Sequence, residues 1–246
     1  SADDLKEFYR QYYVASNAVV VIVGDLEERQ AAAIASALVS RLPAGKHAGE
    51  LPPVAPLEEA RVDFIEHPSS QSHVLMGSPG MHRGDVDYFP LYVGNHILGG
   101  SGLVSRISKE VREKRGLSYS AYSYFTPMRR DGPYTLGLQT RNDQRDDALT
   151  VLRDTLKKFR DQGPADKELE AAKNNIIGGF PLQVSSNSKI SEYLAMIGFY
   201  DLPLDYLDRF AERVQAVTVT QIRNAYQRRV HPDRMVTVIV GSSGKK

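Results

Sequence analysis

The chain has 246 residues, of which 41% are hydrophobic and 25% are charged, a composition typical of ordinary globular proteins. Because it carries 31 basic and 30 acidic residues, its net charge gives no electrostatic reason to expect nucleic acid or an anionic membrane as a partner. No apolar run approaches the roughly 18 residues of a membrane helix, and the first residues do not resemble a signal peptide. Cysteine is absent, which excludes disulfides and thiolate metal sites.

The first predicted elements are a helix, a strand and a second helix. An acidic residue can cap a helix over about residues 3–13. The apolar run 18–23, AVVVIV, predicts a buried strand, and the alanine-rich residues 27–42 predict a helix. Residues 43–60 are rich in proline and have no hydrophobic periodicity, so we expect them to form a linker.

Beyond the linker, strands and helices alternate irregularly. Strands are predicted over residues 62–66, 72–77, 119–125, 134–139 and 235–240. Helices are predicted to start at Asp87, near Leu103, at Asp146 and at about Asp166, after which the chain is mostly helical to Arg229. The third of these helices is amphipathic, with apolar positions at Ala148, Leu149, Leu152, Leu156 and Phe159. The turn residues Arg130-Asp131-Gly132 predict that 119–125 and 134–139 pair as a hairpin.

The stretch 98–125 combines a glycine cluster, a charged helix, a glycine stop and an aromatic strand. The apolar positions of this helix recur every four residues and are Leu103, Ile107 and Val111. Lys109, Arg112 and Glu113 fall on the opposite side of the helix, which is predicted to face solvent. Gly116 can end the helix, because glycine adopts the left-handed conformation without a Cβ penalty. The stretch therefore places Arg112 and Tyr119 on either side of one tight turn.

Two segments of the chain resemble each other at a constant offset of 217 positions. Residues 17–24, NAVVVIVG, match residues 234–241, RMVTVIVG, and the preceding helices align Tyr9 with Tyr226. Buried valine-rich strands are common, so coincidence is the alternative to duplication. Duplication makes this chain part of something longer. The predicted domains are 1–42 as the last helix-strand-helix of a preceding homologous domain, 43–60 as the linker, 61–241 as a second domain and 242–246 as a tail.

Together with this duplicated tail, three stretches resemble the C-terminal, non-catalytic half of the pitrilysin-like zinc metallopeptidases, the M16 family. They are DLKEFYRQYYVASNAVVVIVGDL near the start, HILGGSGLVSRISKEVREKRGLSYSAYSYF in the middle and VTVIVG at the end. The resemblance implies an α+β fold in which a mixed, mostly antiparallel sheet packs against helices. It also implies two similar domains that face each other like a clamshell, one of which carries zinc.

In that family the catalytic domain binds zinc through an inverted motif, His-x-x-Glu-His, on one helix. None of the six histidines of this chain has that arrangement. On the corresponding helix, Tyr92-Val-Gly-Asn95-His96 keeps only the last of the three functional residues, and a lone histidine there is more often structural. The segment Asp63 to His67 has the spacing but begins with aspartate and lies on a predicted strand. We therefore expect no metal ligand and no catalytic residue in this chain, and zinc in the parent enzyme or in a partner.

The resemblance implies that Arg112 and Tyr119 bind the substrate, because in the family an Arg and a Tyr seven positions apart reach the peptide held at the zinc. Arginine offers a fixed fork of donors to peptide carbonyls, and a tyrosine hydroxyl can donate to an oxyanion. From the residues alone, the alternative is a solvated arginine and a packed strand tyrosine. The cluster Leu98-Gly-Gly-Ser-Gly102 is not a phosphate loop, since no Gly-Lys-Ser/Thr follows, so it is either a chain turn or a substrate-contacting loop.

These features predict the inactive, substrate-positioning domain of a zinc-dependent metalloendopeptidase that cleaves peptides in a clamshell cavity. Its expected partners are a peptide substrate and a zinc-bearing M16 domain, in the same chain or in a partner subunit, with neither nucleic acid nor membrane. Alone, the chain is expected neither to bind zinc tightly nor to cleave peptides. The second hypothesis is a non-catalytic scaffold or binding subunit related to the core proteins of the family.

Overall fold

The computed structural model describes residues 1–243, and within them the chain forms nine α-helices and five β-strands. The helices are α1 (Ala2–Tyr12), α2 (Glu28–Val39), α3 (Tyr88–Asn95), α4 (Arg106–Ser108), α5 (Arg145–Gln162), α6 (Asp166–Gln183), α7 (Asn187–Phe199), α8 (Phe210–Gln215) and α9 (Val219–Arg229). The strands are β1 (Arg61–Glu66), β2 (Gln71–Met81), β3 (Ser118–Phe125), β4 (Gly132–Arg141) and β5 (Val236–Gly241). Two π-helical turns, His96–Gly100 and Lys109–Glu113, continue α3 and α4.

Of the predicted tail 242–246, residues 244–246 lie outside the described residues. None of the helices described is both long enough and apolar enough to span a membrane.

The two compact units of the chain are Ser1–Pro52 with Gly178–Arg209, and Pro53–Ile177 with the described residues from Phe210 onward. The first unit contains α1, α2, α7 and the end of α6. The strand predicted over residues 18–23 does not form: the run has no regular secondary structure, and Val19 and Val20 are exposed. The prediction is wrong because a strand requires a neighbouring strand, and none of the five strands described pairs with this run.

The second unit is built on one five-stranded sheet with the order β1-β5-β2-β4-β3. β1 runs parallel to β5, and every other neighbouring pair is antiparallel. The predicted α+β fold with a mixed, mostly antiparallel sheet is therefore confirmed. The predicted hairpin also forms, with Phe125 of β3 opposite Tyr134 of β4. β1 and β2 follow each other in sequence but do not pair, because β5 lies between them.

Helices α3, α5 and α9 pack together against one face of this sheet. The strand residues buried on that face include Val74, Met76, Leu136, Leu138 and Ile239. Arg153 of α5 donates to the hydroxyl of Thr237 in β5 at 2.9 Å. Phe159 of α5 meets Tyr226 of α9 edge to face, with ring centroids 4.9 Å apart. The core of the second unit therefore lies between the sheet and these three helices.

The opposite face of the sheet, here called the open face, exposes large apolar side chains. Leu75 is 46% exposed and Tyr122 is 37% exposed. The register places Tyr122, Gly137, Leu75 and Val238 in one row across β3, β4, β2 and β5. A glycine is required in that row, because a Cβ on Gly137 would lie 2.5 Å from the Tyr122 ring. The open face is thus a well-formed apolar surface that contacts solvent.

Candidate functional site

Tyr119 lies in a β-bulge near the start of β3. Ser118 is opposite Thr140, and Ser120 is opposite the adjacent Gln139, so Tyr119 is an extra residue with no counterpart in β4. A bulge removes the extra residue from the regular alternation of the strand and re-aims its side chain. Tyr119 is accordingly 82% exposed. The sequence predicts the strand but gives no signal for the bulge that presents this tyrosine.

Arg112 is held beside this tyrosine by the turn that leads into β3. It lies in the π-helical turn after α4 and is half-buried. Gly116 follows with a φ of +63°, and its N–H donates to the Arg112 carbonyl at 2.9 Å. The predicted left-handed stop at Gly116 is therefore confirmed. The structure brings the two predicted residues into contact, with Arg112 Cζ 4.6 Å from the centroid of the Tyr119 ring.

The helical segment before the turn is anchored by its apolar side. Ile107 and Val111 are fully buried, as the four-residue spacing predicts. The prediction for Leu103 is wrong, since this residue is 58% exposed. The reason is that residues 102–104 form a separate 3₁₀ turn and α4 begins only at Arg106. Two rigidly packed residues, rather than three, fix the position of Arg112.

The Arg112–Tyr119 pair can offer hydrogen-bond donors to a ligand. Within residues 1–243, neither the guanidinium nor the phenol hydroxyl has a hydrogen-bond or ion-pair partner. The contact between cation and ring restrains both side chains. A guanidinium above a ring still presents the N–H groups of its planar fork. The arrangement suits an oxygen acceptor, such as a peptide carbonyl or a carboxylate.

Asn95, at the position where the zinc motif has its glutamate, has a structural contact. It is buried, and its Nδ2 donates to the backbone carbonyl of Ser123 in β3 at 3.0 Å. Its Oδ1 accepts from the Ser123 hydroxyl at 2.7 Å. Both ends of the amide are therefore used to attach α3 to β3.

The two remaining motif positions are also occupied by packed residues. The ring of Tyr92 lies 6.1 Å from that of Phe210, edge to face. Burial lowers the pKa of His96, and a hydrogen bond with the Asn175 side chain opposes that shift. One imidazole, one phenol and one engaged amide do not fit zinc, which requires at least three convergent protein ligands.

Close packing requires glycine at two positions of the cluster, and at Gly99 it allows the turn after α3 to approach β3 closely. A Cβ on Gly99 would lie 2.5 Å from the backbone nitrogen of Ser123, and a Cβ on Gly100 would lie 2.9 Å from Asn95 Nδ2. Gly102 instead has a φ of +64° and no atom within 4 Å of its Cβ position. Packing therefore accounts for two of these glycines and backbone conformation for the third.

A second polar cluster, formed by His82, Asp85 and Asp131, has ligand-type atoms within 4.8 Å of one another. His82 Nδ1 lies 3.0 Å from the Asp131 carboxylate and 3.4 Å from that of Asp85. The guanidinium of Arg229 in α9 pairs with both carboxylates. These ion pairs join α9 to two loops. Arg229 already compensates the charge of both carboxylates, so the cluster does not fit a metal ion. Asp131 and Arg229 are far in sequence from His82 and Asp85, so no spacing pattern could have revealed the whole cluster.

The chain matches the family model described as the peptidase M16 inactive domain over residues 1–176. A crystal structure described as a peptidase M16 inactive domain from Pseudomonas fluorescens superposes on it with a TM-score of 0.93 and 37% sequence identity. That superposition covers 100% of this chain and 59% of the other.

Curated relatives extend the comparison to proteins of greater length. An uncharacterised zinc protease of Streptomyces coelicolor is 29% identical over 230 residues, which cover 91% of this chain and 50% of that protein. A non-peptidase homologue of Helicobacter pylori is 25% identical over 247 residues, which cover 99% of this chain and 56% of that protein. The chain therefore spans about half the length of the curated relatives it matches.

Proposed function

Because the chain belongs to the family of peptidase M16 inactive domains, we propose that it positions the substrate in a zinc-dependent metalloendopeptidase. The zinc would belong to an M16 domain in the same protein or in a partner subunit, since neither candidate site described above, at Tyr92 to His96 or at His82, Asp85 and Asp131, fits the metal. The observation that carries the proposal is the Arg112–Tyr119 pair, in contact and without other polar partners in the part of the chain described. Relatives named as zinc proteases support it.

Arg112 and Tyr119 would act on a peptide by hydrogen bonding. The planar fork of Arg112 can hold a peptide carbonyl in one orientation. The hydroxyl of Tyr119 can donate to the carbonyl oxygen that becomes negative as water adds to the scissile bond. The bulge supplies the exposure that such a contact across a cavity requires. Neither side chain has to lose a proton, so activation of the water would belong to the zinc-bearing domain.

The exposed side of α1 supports pairing with a preceding homologous domain. At the offset of 217 positions, Leu5 and Tyr9 correspond to Ile222 and Tyr226 of α9. Ile222 and Tyr226 are fully buried, whereas Leu5 and Tyr9 are 74% and 58% exposed. A face that is buried in one copy and exposed in the other needs a covering partner. The proposed division is 1–42 as the end of that preceding domain, 43–60 as the linker and 61–241 as the inactive domain.

The test uses the protein assembled with its zinc-bearing half, with purified Arg112→Ala and Tyr119→Phe variants. Tyr119→Phe should reduce kcat on the order of a hundredfold, because it removes one donor to the transition-state oxyanion. Arg112→Ala should reduce kcat/KM, because the peptide loses its oriented carbonyl contact. Initial rates of peptide cleavage, measured at saturating and limiting substrate, separate the two effects.

Matched controls come from the same elements. Arg115→Ala removes a nearby arginine that pairs with Glu110, and Tyr124→Phe removes a hydroxyl from the same strand. Both controls should keep the wild-type rates. Unchanged rates in the Arg112 and Tyr119 variants, with folding verified by circular dichroism, would contradict the assigned roles.

A second candidate is a non-catalytic scaffold or binding subunit. The relative of Helicobacter pylori that bears the name of a non-peptidase homologue favours it. The two candidates differ in the other half of the assembly. A helix with His-x-x-Glu-His, in the same protein or in one encoded by a neighbouring gene, supports the peptidase, and its absence from both supports the scaffold. Sequencing those regions distinguishes the two.

A further inference from the structure

The bulge in β3 determines the direction of the Tyr119 side chain. From Ala121 onward the strand alternates regularly, with Ala121 and Ser123 buried and Tyr122 between them exposed. Extended backwards, this alternation would expose Ser120 and turn position 119 toward the buried face of the sheet. Tyr119 and Ser120 are instead both exposed, because the extra residue interrupts the alternation. The exposure of Tyr119 therefore depends on the bulge.

The side chain of Ser118 ties the two strands together at this bulge. Ser118 is buried, and its Oγ lies 2.7 Å from the backbone carbonyl oxygen of Ser120 and 2.7 Å from that of Gln139. A serine hydroxyl has one proton, so it donates to these two acceptors as a three-centre bond. Ser120 and Gln139 are the opposed residues that follow the extra residue in the ladder. The hydroxyl therefore spans Tyr119 along β3 and also reaches across to β4.

A second hydroxyl attaches the bulge to the turn that holds Arg112. Thr140, opposite Ser118 in β4, is buried and donates from Oγ1 to the backbone carbonyl of Leu117. The N–H of Leu117 donates in turn to the Val111 carbonyl at 2.9 Å. Hydrogen bonds thus connect β4, the bulge and the π-helical turn. A change in the shape of the bulge therefore also changes how the two site residues face each other.

We propose that Ser118 is a positioning residue, whose hydroxyl holds the bulge in the shape that presents Tyr119 beside Arg112. Its effect on turnover rests on the proposed function, in which the Tyr119 hydroxyl donates to the oxyanion. That hydroxyl lies at the end of a long side chain, so a small rotation of the backbone at position 119 displaces it. A displacement of about 1 Å near the reacting atoms can cost roughly a hundredfold in rate. Ser118 is buried, so it acts through Tyr119 and not by contact with the substrate.

Turnover by the assembled protein tests whether Ser118 acts through Tyr119. Ser118→Ala should lower kcat about tenfold and leave KM nearly unchanged, because a misplaced donor weakens a contact made in the transition state. In the Tyr119→Phe background the same substitution should have little further effect, since the donor is already absent. An equal loss of kcat in both backgrounds, or no loss in either, overturns the proposal.

Two further variants separate the hydroxyl from the general effect of a substitution in β3. Ser118→Thr keeps the hydroxyl and should retain most of the wild-type kcat. Ser120→Ala is the matched control, because it removes a hydroxyl from the other neighbour of Tyr119, where the side chain is exposed. It should keep the wild-type kcat. Where Ser118→Ala does not fold, Ser118→Cys takes its place, since a thiol of similar shape is only a weak donor.

A measurement without substrate distinguishes failure of the positioning role from failure of the proposed function. Arg112 Cζ lies 4.6 Å from the centroid of the Tyr119 ring, so the ring current shifts the NMR resonance of the Arg112 Nε–H proton from its value in Tyr119→Ala. In Ser118→Ala this resonance should move toward the Tyr119→Ala value, whereas in Ser118→Thr and Ser120→Ala it should stay at the wild-type value. That result supports the positioning role even where the wild-type protein cleaves nothing. A wild-type resonance in Ser118→Ala overturns the role.

Discussion

Replacing Gly99 with alanine should destabilise the second unit, because this glycine allows the turn after α3 to touch β3. The added Cβ would lie 2.5 Å from the backbone nitrogen of Ser123, a separation that real Cβ atoms essentially never show. Backbone has to move, and such overpacking costs roughly 1–3 kcal/mol. The movement also weakens the two buried hydrogen bonds between Asn95 and Ser123, which adds about 1 kcal/mol. The free energy of unfolding should therefore fall by roughly 2–4 kcal/mol.

Urea denaturation followed by circular dichroism measures this change, with Gly179→Ala as the control. Gly179 lies inside α6 and has no atom within 4 Å of its Cβ position. Alanine there should stabilise the protein by about 0.5–1 kcal/mol, since it restricts the unfolded chain and favours helix. The two glycine substitutions are thus expected to have opposite signs. A Gly99→Ala midpoint equal to that of the wild-type protein would refute the close-packing explanation.

Two further predictions concern pH. Burial holds the folded pKa of His96 below its ordinary value of 6.5, so the unfolded chain takes up the proton first and stability should fall as pH drops below that value. The midpoint of urea denaturation, measured at a series of pH values across this range, should change less with pH in His96→Gln than in the wild-type protein. Arg106 donates two hydrogen bonds to Glu168, at 2.7 and 2.5 Å, and they hold the pKa of this carboxyl below 4.5. The stability that these bonds contribute to the folded state is therefore fully present above pH 4.5. It is lost as the pH falls through the lower pKa of the folded state. In Glu168→Gln the free energy of unfolding should depend less on pH in the acid range, and it should be lower by about 1 kcal/mol at neutral pH, a modest loss because both side chains are partly exposed. A pH dependence in the acid range as steep as that of the wild-type protein would contradict the assignment.

Local patterns predicted the parts of the fold that depend on neighbouring residues. The five apolar positions of α5 assigned from helical spacing are all buried, because a single amphipathic helix carries that information in its own sequence. The contact between Arg112 and Tyr119 follows from one turn that ends at Gly116. The sequence predicts this turn and therefore that the two residues lie near each other, whereas it gives no signal for the β-bulge that exposes Tyr119.

Features that depend on distant parts of the chain could not be predicted in this way. β5 lies between β1 and β2, and the hydrophobic pattern of a strand does not indicate which other strands it pairs with. The bulge at Tyr119 depends on how β3 and β4 align. The cluster around Asp131 and Arg229 unites residues from separate loops and α9. The failed strand at 18–23 shows the same limit, since its propensity is strong and its partner is missing among the strands described.

The run 18–23 has a consequence for how the protein must be produced. Six uncharged residues rich in valine, without proline, are typical of segments that stack with copies of themselves. Its counterpart in β5 is protected, because β1 and β2 pair with it on both sides. Val19 and Val20 have no such cover and are exposed, so this chain made alone is prone to self-association. The proposed preceding domain would be synthesised before this run, so its folded sheet would be available to pair with the run during synthesis.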